Sequence, residues 1–371
     1  MAARFSDSLG KRAVRELWNT PLLTYLHGSY DVRYRYMGLP GVDLLDVRLW
    51  KDMIDEVVAF EVRARPNNND PQGRRSITAL RRNLRLLGIR GHAYFGPMEE
   101  VVILREDYDG TEYRQEQVVT LYNLDFCDEI GSRIATRREG RQVWRFEAIR
   151  QILRDQRECY RRVGGPSLFV MLLTIRDQID AGRLRGFLAK DLYHDTQEYV
   201  EACNGQTPLP ASGYVLGTHT WALKAFLHGI IRQYLSNPHI SALFFPVVKY
   251  TGVPVRSRRG VLPSPMLHCM ILCRFDDPQS PCPSFLPADY LRAATSVRAR
   301  EDHTLVWEAE PGEPLAVQTN PASQDWLRPL EPLFLRGVGG TQLRAAQLRG
   351  LTQAELKEIQ QSLAELGGVE P

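Results

Sequence analysis

At 371 residues the chain can hold one large α/β domain with additions or two modest domains, and 43% hydrophobic residues supply an ample core. A formal charge of +3 is close to neutral for this size, so no overall field argues for nucleic acid or for an anionic membrane. No apolar run approaches a membrane span. The opening MAARFSDSLGKRAVREL is charged and lacks an apolar core of signal-peptide length, so a cytoplasmic protein with no membrane partner is expected.

Only six of the 47 basic residues are Lys, which leaves 47 − 6 = 41 Arg. The planar guanidinium forks well onto phosphate and carboxylate, but the enrichment runs through the whole chain, as a GC-rich coding sequence would also produce. The six cysteines, Cys127, Cys159, Cys203, Cys269, Cys273 and Cys282, form no CxxC pair and have no His at metal-ligand spacing, so reduced thiols and no metal site are expected. Cys269 and Cys273 are four apart in a strand-like run and share one sheet face, which suits packing.

Residues 1–31 read as a helical lead-in, with Leu17, Trp18, Leu22, Leu23 and Leu26 able to cap one end of the core. The stretch Val32 to Glu61 follows, and the rest of the chain is organised around it. An extended run, Val32 to Met37, ends in Gly38-Leu39-Pro40-Gly41; Val42, Leu45 and Leu49 then recur at helical spacing before a second apolar run, Val57 to Phe60. This is a βαβ opening. Its glycine turn can bring bare backbone close to a ligand, and Glu61, about twenty residues beyond Gly41, stands where an acid can accept hydrogen bonds from ribose hydroxyls. A purely structural turn would read much the same.

Turn formers from Arg65 to Gly73 predict an exposed loop after that acid. Ser76 is expected to cap a helix through about Leu87, with Ile77, Leu80, Leu84 and Leu87 on one face and Gly88 as its stop. Gly91 to Phe95 reads as the third strand. Val101 to Gln117 then contains a short strand-like piece, Val101 to Leu104, and the charged run REDYDGTEYRQEQ, read together as an inserted hairpin or surface arm. Val118 to Leu121 is the fourth strand, and it runs out into Tyr122-Asn123-Leu124-Asp125-Phe126-Cys127, a second place where chemistry is plausible.

A helix from Phe146 to about Arg161 precedes the most apolar run of the chain, Leu168 to Ile175, which is expected to be central in the sheet. Arg150, Arg154, Arg157 and Arg161 form a stripe on that helix, more readily a solvated face laced with Glu147, Asp155 and Glu158 than a binding surface. A further helix capped by Thr218 or Thr220 runs through Leu235. Two long strand signals follow, Ala242 to Tyr250 and Met266 to Phe275, joined by the loop TGVPVRSRRGVLPSP; with no helix between them they should pair antiparallel. That loop carries Arg256, Arg258 and Arg259, and if the sheet is parallel up to the sixth strand it emerges on the cofactor edge, where the guanidinium groups could meet substrate phosphate. The C-terminal extension, 277–371, contains a strand-like His303 to Glu308 and a final helix opened by Thr352, with Glu355 completing a capping box.

Strands alternating with helices and ending in an antiparallel pair give an order that resembles the class I, Rossmann-like S-adenosylmethionine-dependent methyltransferases over roughly residues 30–276. The resemblance implies an α/β fold with a seven-stranded, mostly parallel sheet, an antiparallel last strand and helices on both faces. The implied layout is a lead-in at 1–31, the methyltransferase-like domain at 32–276 with an insertion at 101–117, and the extension at 277–371. It makes Gly38 and Gly41 the cofactor turn, Glu61 the ribose acid, Gly96-Pro97-Met98-Glu99 the wall near the adenine, and Asn123 with Asp125 the motif after the fourth strand, with Phe126 beside the substrate. The turn lacks the usual GxGxG, and NLDF stands where base-methylating relatives carry two prolines and an aromatic.

Transfer from a sulfonium is an in-line displacement whose main demand is alignment, with Asp125 as the candidate base for a weak nucleophile. The expectation is therefore a methyltransferase acting on nucleic acid, with a protein partner possible through the C-terminal extension. The alternative is a methyltransferase-like scaffold or sensor subunit without catalysis, loosely similar to proteins of bacterial defence loci. An NAD-dependent enzyme is disfavoured by the absence of GxGxxG. Cys127 and His219 are lesser candidates for a nucleophile and a site histidine.

Overall fold

The sheet is wound about β1 (Tyr34–Gly38), in a computed structural model that describes residues 8–61, 71–126, 128–136, 141–182, 214–216, 240–245, 247–257, 260–275, 296–299 and 305–308. All of these fall in the first of two units into which the chain divides, Met1–Ala316. β2 (Ile54–Phe60) pairs parallel to β1, and β3 (Arg90–Tyr94) pairs parallel to β2. On the other side of β1 lie β4 (Leu121–Asp125) and then β7 (Leu168–Arg176), both parallel. Next comes β12 (Gly260–Phe275), antiparallel to β7, and beyond it β11 (Val247–Ser257), antiparallel to β12. β11 therefore runs in the same direction as β1.

Across the sheet these seven strands stand in the order β11-β12-β7-β4-β1-β2-β3. This is a Rossmann-like, mostly parallel seven-stranded sheet, with one reversed strand inserted between β7 and β11. Three more strands enlarge it to ten: β10 (Ile240–Phe244), which pairs β12 end to end with β11, and β13 (Ser296–Ala299) with β14 (Leu305–Glu308) outside β11. The last two come from the stretch read as the C-terminal extension. The expected centrality of Leu168–Ile175 holds, since β7 has neighbours on both sides and every residue from Leu168 to Ile175 is buried. Burial on both faces is why that strand reads as an unbroken apolar run.

Helices flank the parallel half. α4 (Pro71–Leu87) buries Ile77, Leu80 and Leu84 and ends at Gly88, whose φ of +68° a side chain would resist. It begins five residues earlier than the expected Ser76 cap; Ser76 lies inside the helix and spends its hydroxyl elsewhere. α5 (Met98–Leu104) replaces the expected strand at Val101 to Leu104. Pro97 at its N-cap and Glu99 and Glu100 in its first turn favour a helix start, and burial of Val101 and Val102 on both sides produced the strand-like run. α6 (Arg145–Val163) matches expectation, and Glu147 accepts the Trp144 N–H at 3.0 Å to complete its first turn. Arg150, Arg154 and Arg161 are exposed on it, but Asp155 is buried in a two-pronged pair with Arg105 at 2.5 and 2.6 Å.

The charged run after α5 is no projecting arm. Asp107 is fully buried and accepts the N–H groups of Phe95, Asp109 and Thr111, while Tyr108 and Tyr113 pack inward. A carboxylate holding three backbone donors ties the segment to the sheet as a tight hairpin. The fourth strand also starts later than expected. The buried amide of Gln156 on α6 takes both the N–H and the C=O of Val119, at 3.0 and 2.6 Å, and so removes Val119 from the ladder. Asn123 consequently lies within β4, not beyond it. The expected loop between the last two strands is mostly strand as well: pairing continues from Thr251↔Pro265 to Ser257↔Gly260 and makes a two-stranded ribbon. The expected helices beginning near Thr218 and at Thr352, the loop from Arg65, and the candidates Cys127 and His219 lie outside the described residues.

Candidate functional site

Parallel pairing brings the strand tips into line. Gly38 faces Ala59 on one side and Asn123 on the other, Phe60 faces Tyr94, and Asp125 faces Thr174. Gly38 is required by this geometry, because a Cβ there would come within 2.1 Å of the Asn123 carbonyl oxygen. Its role is close strand packing. Gly41 is different: its φ is +66°, and among the described residues nothing lies within 4 Å of the position a Cβ would take. The turn thus presents open backbone. The helix that follows, α3 (Leu45–Leu49), is only five residues long and buries Val47, flanked by Leu44 and Trp50, in place of the expected Val42, Leu45 and Leu49 face. Leu44 takes a left-handed φ of 54°, which shifts the helix start four residues past Gly41 and rotates its apolar side.

Above these tips lies the lead-in. α1 (Leu9–Ala13), a π-helical turn over Val14–Asn19 and α2 (Thr20–Tyr30) follow one another without a break. The π register is closed by the Thr20 N–H donating to the Arg15 carbonyl, and the Thr20 hydroxyl donates to the same oxygen at 2.7 Å. Lys11, Arg15 and Asn19 recur every four residues and face the sheet. Lys11 pairs with Asp125, Arg15 pairs with Asp46 on α3, and Asn19 accepts from His268 Nε2 at 2.8 Å. Three polar side chains on one helix face therefore meet Asp125 and His268 on strands and Asp46 on α3.

The network continues inward. Asn123 donates from Nδ2 to Asp46 at 2.6 Å and to the Tyr36 hydroxyl at 3.2 Å. Burial first, and then the Asp46 charge, push the Tyr36 phenol well above its ordinary range, so it stays protonated. His268 is buried and holds Thr174 Oγ1 at 2.8 Å through Nδ1. Burial lowers its pKa to about 3, with Asp46 opposing and Lys11 reinforcing the shift. A neutral ring whose Nε2–H donates to Asn19 and whose Nδ1 accepts from Thr174 satisfies both contacts. Among the described residues, Asp125 Oδ1 is buried with no hydrogen-bond partner. That oxygen is an unfilled acceptor at the tip of β4.

The other expected site residues are dispersed around this edge. Glu61 follows the tip of β2, is buried, and accepts from Ser76 at 2.6 Å through Oε2. Glu99 is buried on α5 and pairs with Arg145 at 2.8 Å. The Arg145 guanidinium lies 4.6 Å from the centre of the Phe126 ring, so Phe126 sits beneath a cation and is 3% exposed. Arg256 lies on the β11–β12 ribbon, and Arg258 and Arg259 lie outside the described residues. Because β11 runs parallel to β1, that ribbon leaves the sheet on the edge where Gly38 and Asp125 stand, as expected. A separate cavity of about 390 Å³ lies on the face of β1–β3 beneath residues 112–117, lined by Arg35, Glu56, His92, Tyr94 and Arg114. None of the expected site residues lines it.

Sequence reasoning missed Lys11, Arg15, Asn19, Asp46, Arg145 and His268. For the lead-in a signal existed: Lys11, Arg15 and Asn19 repeat at four-residue spacing beside the apolar Leu and Trp positions. Asp46, Arg145 and His268 are joined to their partners only by the fold. Among the described residues no group of three or more His, Cys, Asp or Glu is arranged to hold a metal ion, and no helix is long and apolar enough to cross a membrane.

No family profile and no curated protein matches the chain. Among solved structures it is similar to a candidate methyltransferase from Bacillus halodurans, at 8% identity over 69% of this chain and 98% of that one, with a TM-score of 0.30. It is also similar to a precorrin-8w decarboxylase from Methanobacterium thermoautotrophicum, at 8% identity over 68% and 88% of the two chains and a TM-score of 0.24. The modification subunit of a candidate type I restriction enzyme from Vibrio vulnificus matches at 8% identity, over 86% of this chain and 52% of that one, with a TM-score of 0.33. Likeness at these scores carries no argument about chemistry. The fold rests on strand order and register.

Proposed function

We propose that the chain is an S-adenosylmethionine-dependent methyltransferase acting on nucleic acid. The observation that carries this reading is the combination, on one edge of a methyltransferase-type sheet, of an open left-handed Gly41 turn and the unfilled acceptor on Asp125. Both fit the group. The turn leaves room for a ligand against bare backbone, and a buried carboxylate oxygen without a donor suits an ammonium or an exocyclic amine. The turn at Gly41 and Glu61 would hold the cofactor, which supplies an activated methyl group when bound, while Gly38 lets β1 and β4 approach beneath the turn. Asn123, fixed by Tyr36 and Asp46, and Asp125, fixed by Lys11, are the groups that orient the acceptor. Holding them rigidly is what an in-line displacement requires.

A second reading, a non-catalytic scaffold or sensor, is favoured by one observation. The protein's own Lys11 and Arg15 already sit on Asp125 and Asp46, so two acids of the edge are neutralised internally. Incubation with methyl-labelled S-adenosylmethionine and mixed RNA or single-stranded DNA separates the two. Label entering nucleic acid, and abolished in Asp125→Ala, supports the enzyme. Cofactor binding without transfer to nucleic acid or protein supports the scaffold.

A further inference from the structure

A second basic element stands on the same edge. After β4 the chain makes a hairpin of β5 (Arg133–Ala135) and β6 (Gln142–Trp144) before entering α6. Its base is tied to the end of β7, where the Arg176 N–H donates to the Asp128 carbonyl at 3.1 Å, and its own ladder runs on into α6 through the Arg145 N–H, which donates to the Ser132 carbonyl at 3.3 Å. From Arg133 to Trp144 the sequence holds Arg133, Arg137, Arg138 and Arg141 against the single acid Glu139, a net 4 − 1 = +3 in twelve residues. The whole chain carries no more than that. The positive charge is therefore local in sequence, and Arg133 and Arg141 carry it on the described part of the hairpin.

The hairpin also carries a stack. The Arg133 guanidinium lies 3.9 Å from the centre of the Trp144 ring, and Trp144 stacks on Phe146 with ring centres 5.4 Å apart and planes 29° from parallel. Val143 turns into the core, while Arg133, Arg141 and Gln142 are exposed and Trp144 and Phe146 are half-buried. A cation lying flat on indole at a solvent face is a platform that a further planar group can extend, and bases stack on guanidinium planes as they do on aromatic rings. Across the edge, β11 carries Lys249 and Arg256, and the sequence from Val247 to Cys273 holds no Asp or Glu.

We infer that the β5–β6 hairpin is a binding surface for single-stranded nucleic acid, with Arg133 and Arg141 on the phosphates and the Arg133–Trp144–Phe146 stack receiving a base. This rests on the methyltransferase reading and assigns its substrate contacts. A single strand is favoured over a duplex because stacking needs an unpaired base face, which a continuous helix does not offer.

Fluorescence anisotropy of the full chain with labelled oligo(U) and oligo(dT) of about 15 nucleotides, and with a duplex of the same length, tests this over a salt series. The expected result is tighter binding of either single strand than of the duplex. The double variant Arg133→Glu, Arg141→Glu should bind about tenfold or more weakly, with the salt slope flatter by about 0.7 for each phosphate no longer neutralised. Trp144→Ala should weaken binding without changing the slope, and Trp144→Phe should restore it. If Trp144→Ala melts early, the charge-reversal pair, exposed at both positions, decides. Equal affinity of the double variant and the parent, or preference for duplex, overturns the inference. S-adenosylmethionine binding to the parent chain, measured alongside, keeps the two readings apart: cofactor binding without affinity for single strands sinks the hairpin alone, and the absence of both sinks the methyltransferase reading with it.

Discussion

Between Thr174 and Asn19 the His268 imidazole is neutral in the folded chain, with a pKa of about 3, whereas in the unfolded chain it titrates near 6.5. Between those values the unfolded state binds the extra proton, so stability falls as pH drops below about 6.5 and continues falling toward 3. The contribution of this group is at most about 1.4 kcal/mol per pH unit. His268→Gln, which cannot take up that proton, should show a flatter loss of stability between neutral pH and about pH 5 in urea unfolding. Parallel curves for parent and variant would mean that the ring is not neutral in the fold. The residue-scale chemistry of the edge was only half legible beforehand. Glu61, Asn123 and Asp125 could be placed near strand tips from local pattern, but Lys11 on Asp125 spans 114 residues and Asn19 on His268 spans 249, which no spacing rule reaches.

At the scale of elements the lead-in helix matters most. It was readable as a helix from its Leu and Trp spacing, but its polar face, which reaches the site, carried no meaning until the sheet order was known. Its seat on the sheet is tight. A Cβ on Gly10 would come within 2.9 Å of Tyr250 Cβ, so Gly10→Val should push α1 away from β11 and, with it, Lys11 from Asp125. The expected cost is about 1–3 kcal/mol in thermal or chemical unfolding. An unchanged midpoint would show that the helix does not pack there. Elements set by a single strong local pattern, such as α6 and β7, matched expectation closely. Those that failed had a competing interaction: the Gln156 amide shortened β4 at its start, and two-sided burial disguised α5 as a strand.

For the whole molecule, the order of strands was legible because alternation of helix and strand forces parallel pairing, and the absence of a helix before β12 forces the reversal. What no local pattern disclosed is that β13 and β14 continue the sheet past β11, or that the β5–β6 hairpin with its exposed Arg133 and Arg141 leaves the sheet on the edge where Asp125 stands. That edge is the centre of the account, and whether it takes a cofactor is measured most directly by isothermal calorimetry of S-adenosylmethionine with the full chain. Micromolar binding is expected, weakening about tenfold or more in Glu61→Gln as the charge-assisted hydrogen bond to the ribose disappears. Cooperatively folded protein that releases no binding heat with S-adenosylmethionine would contradict it.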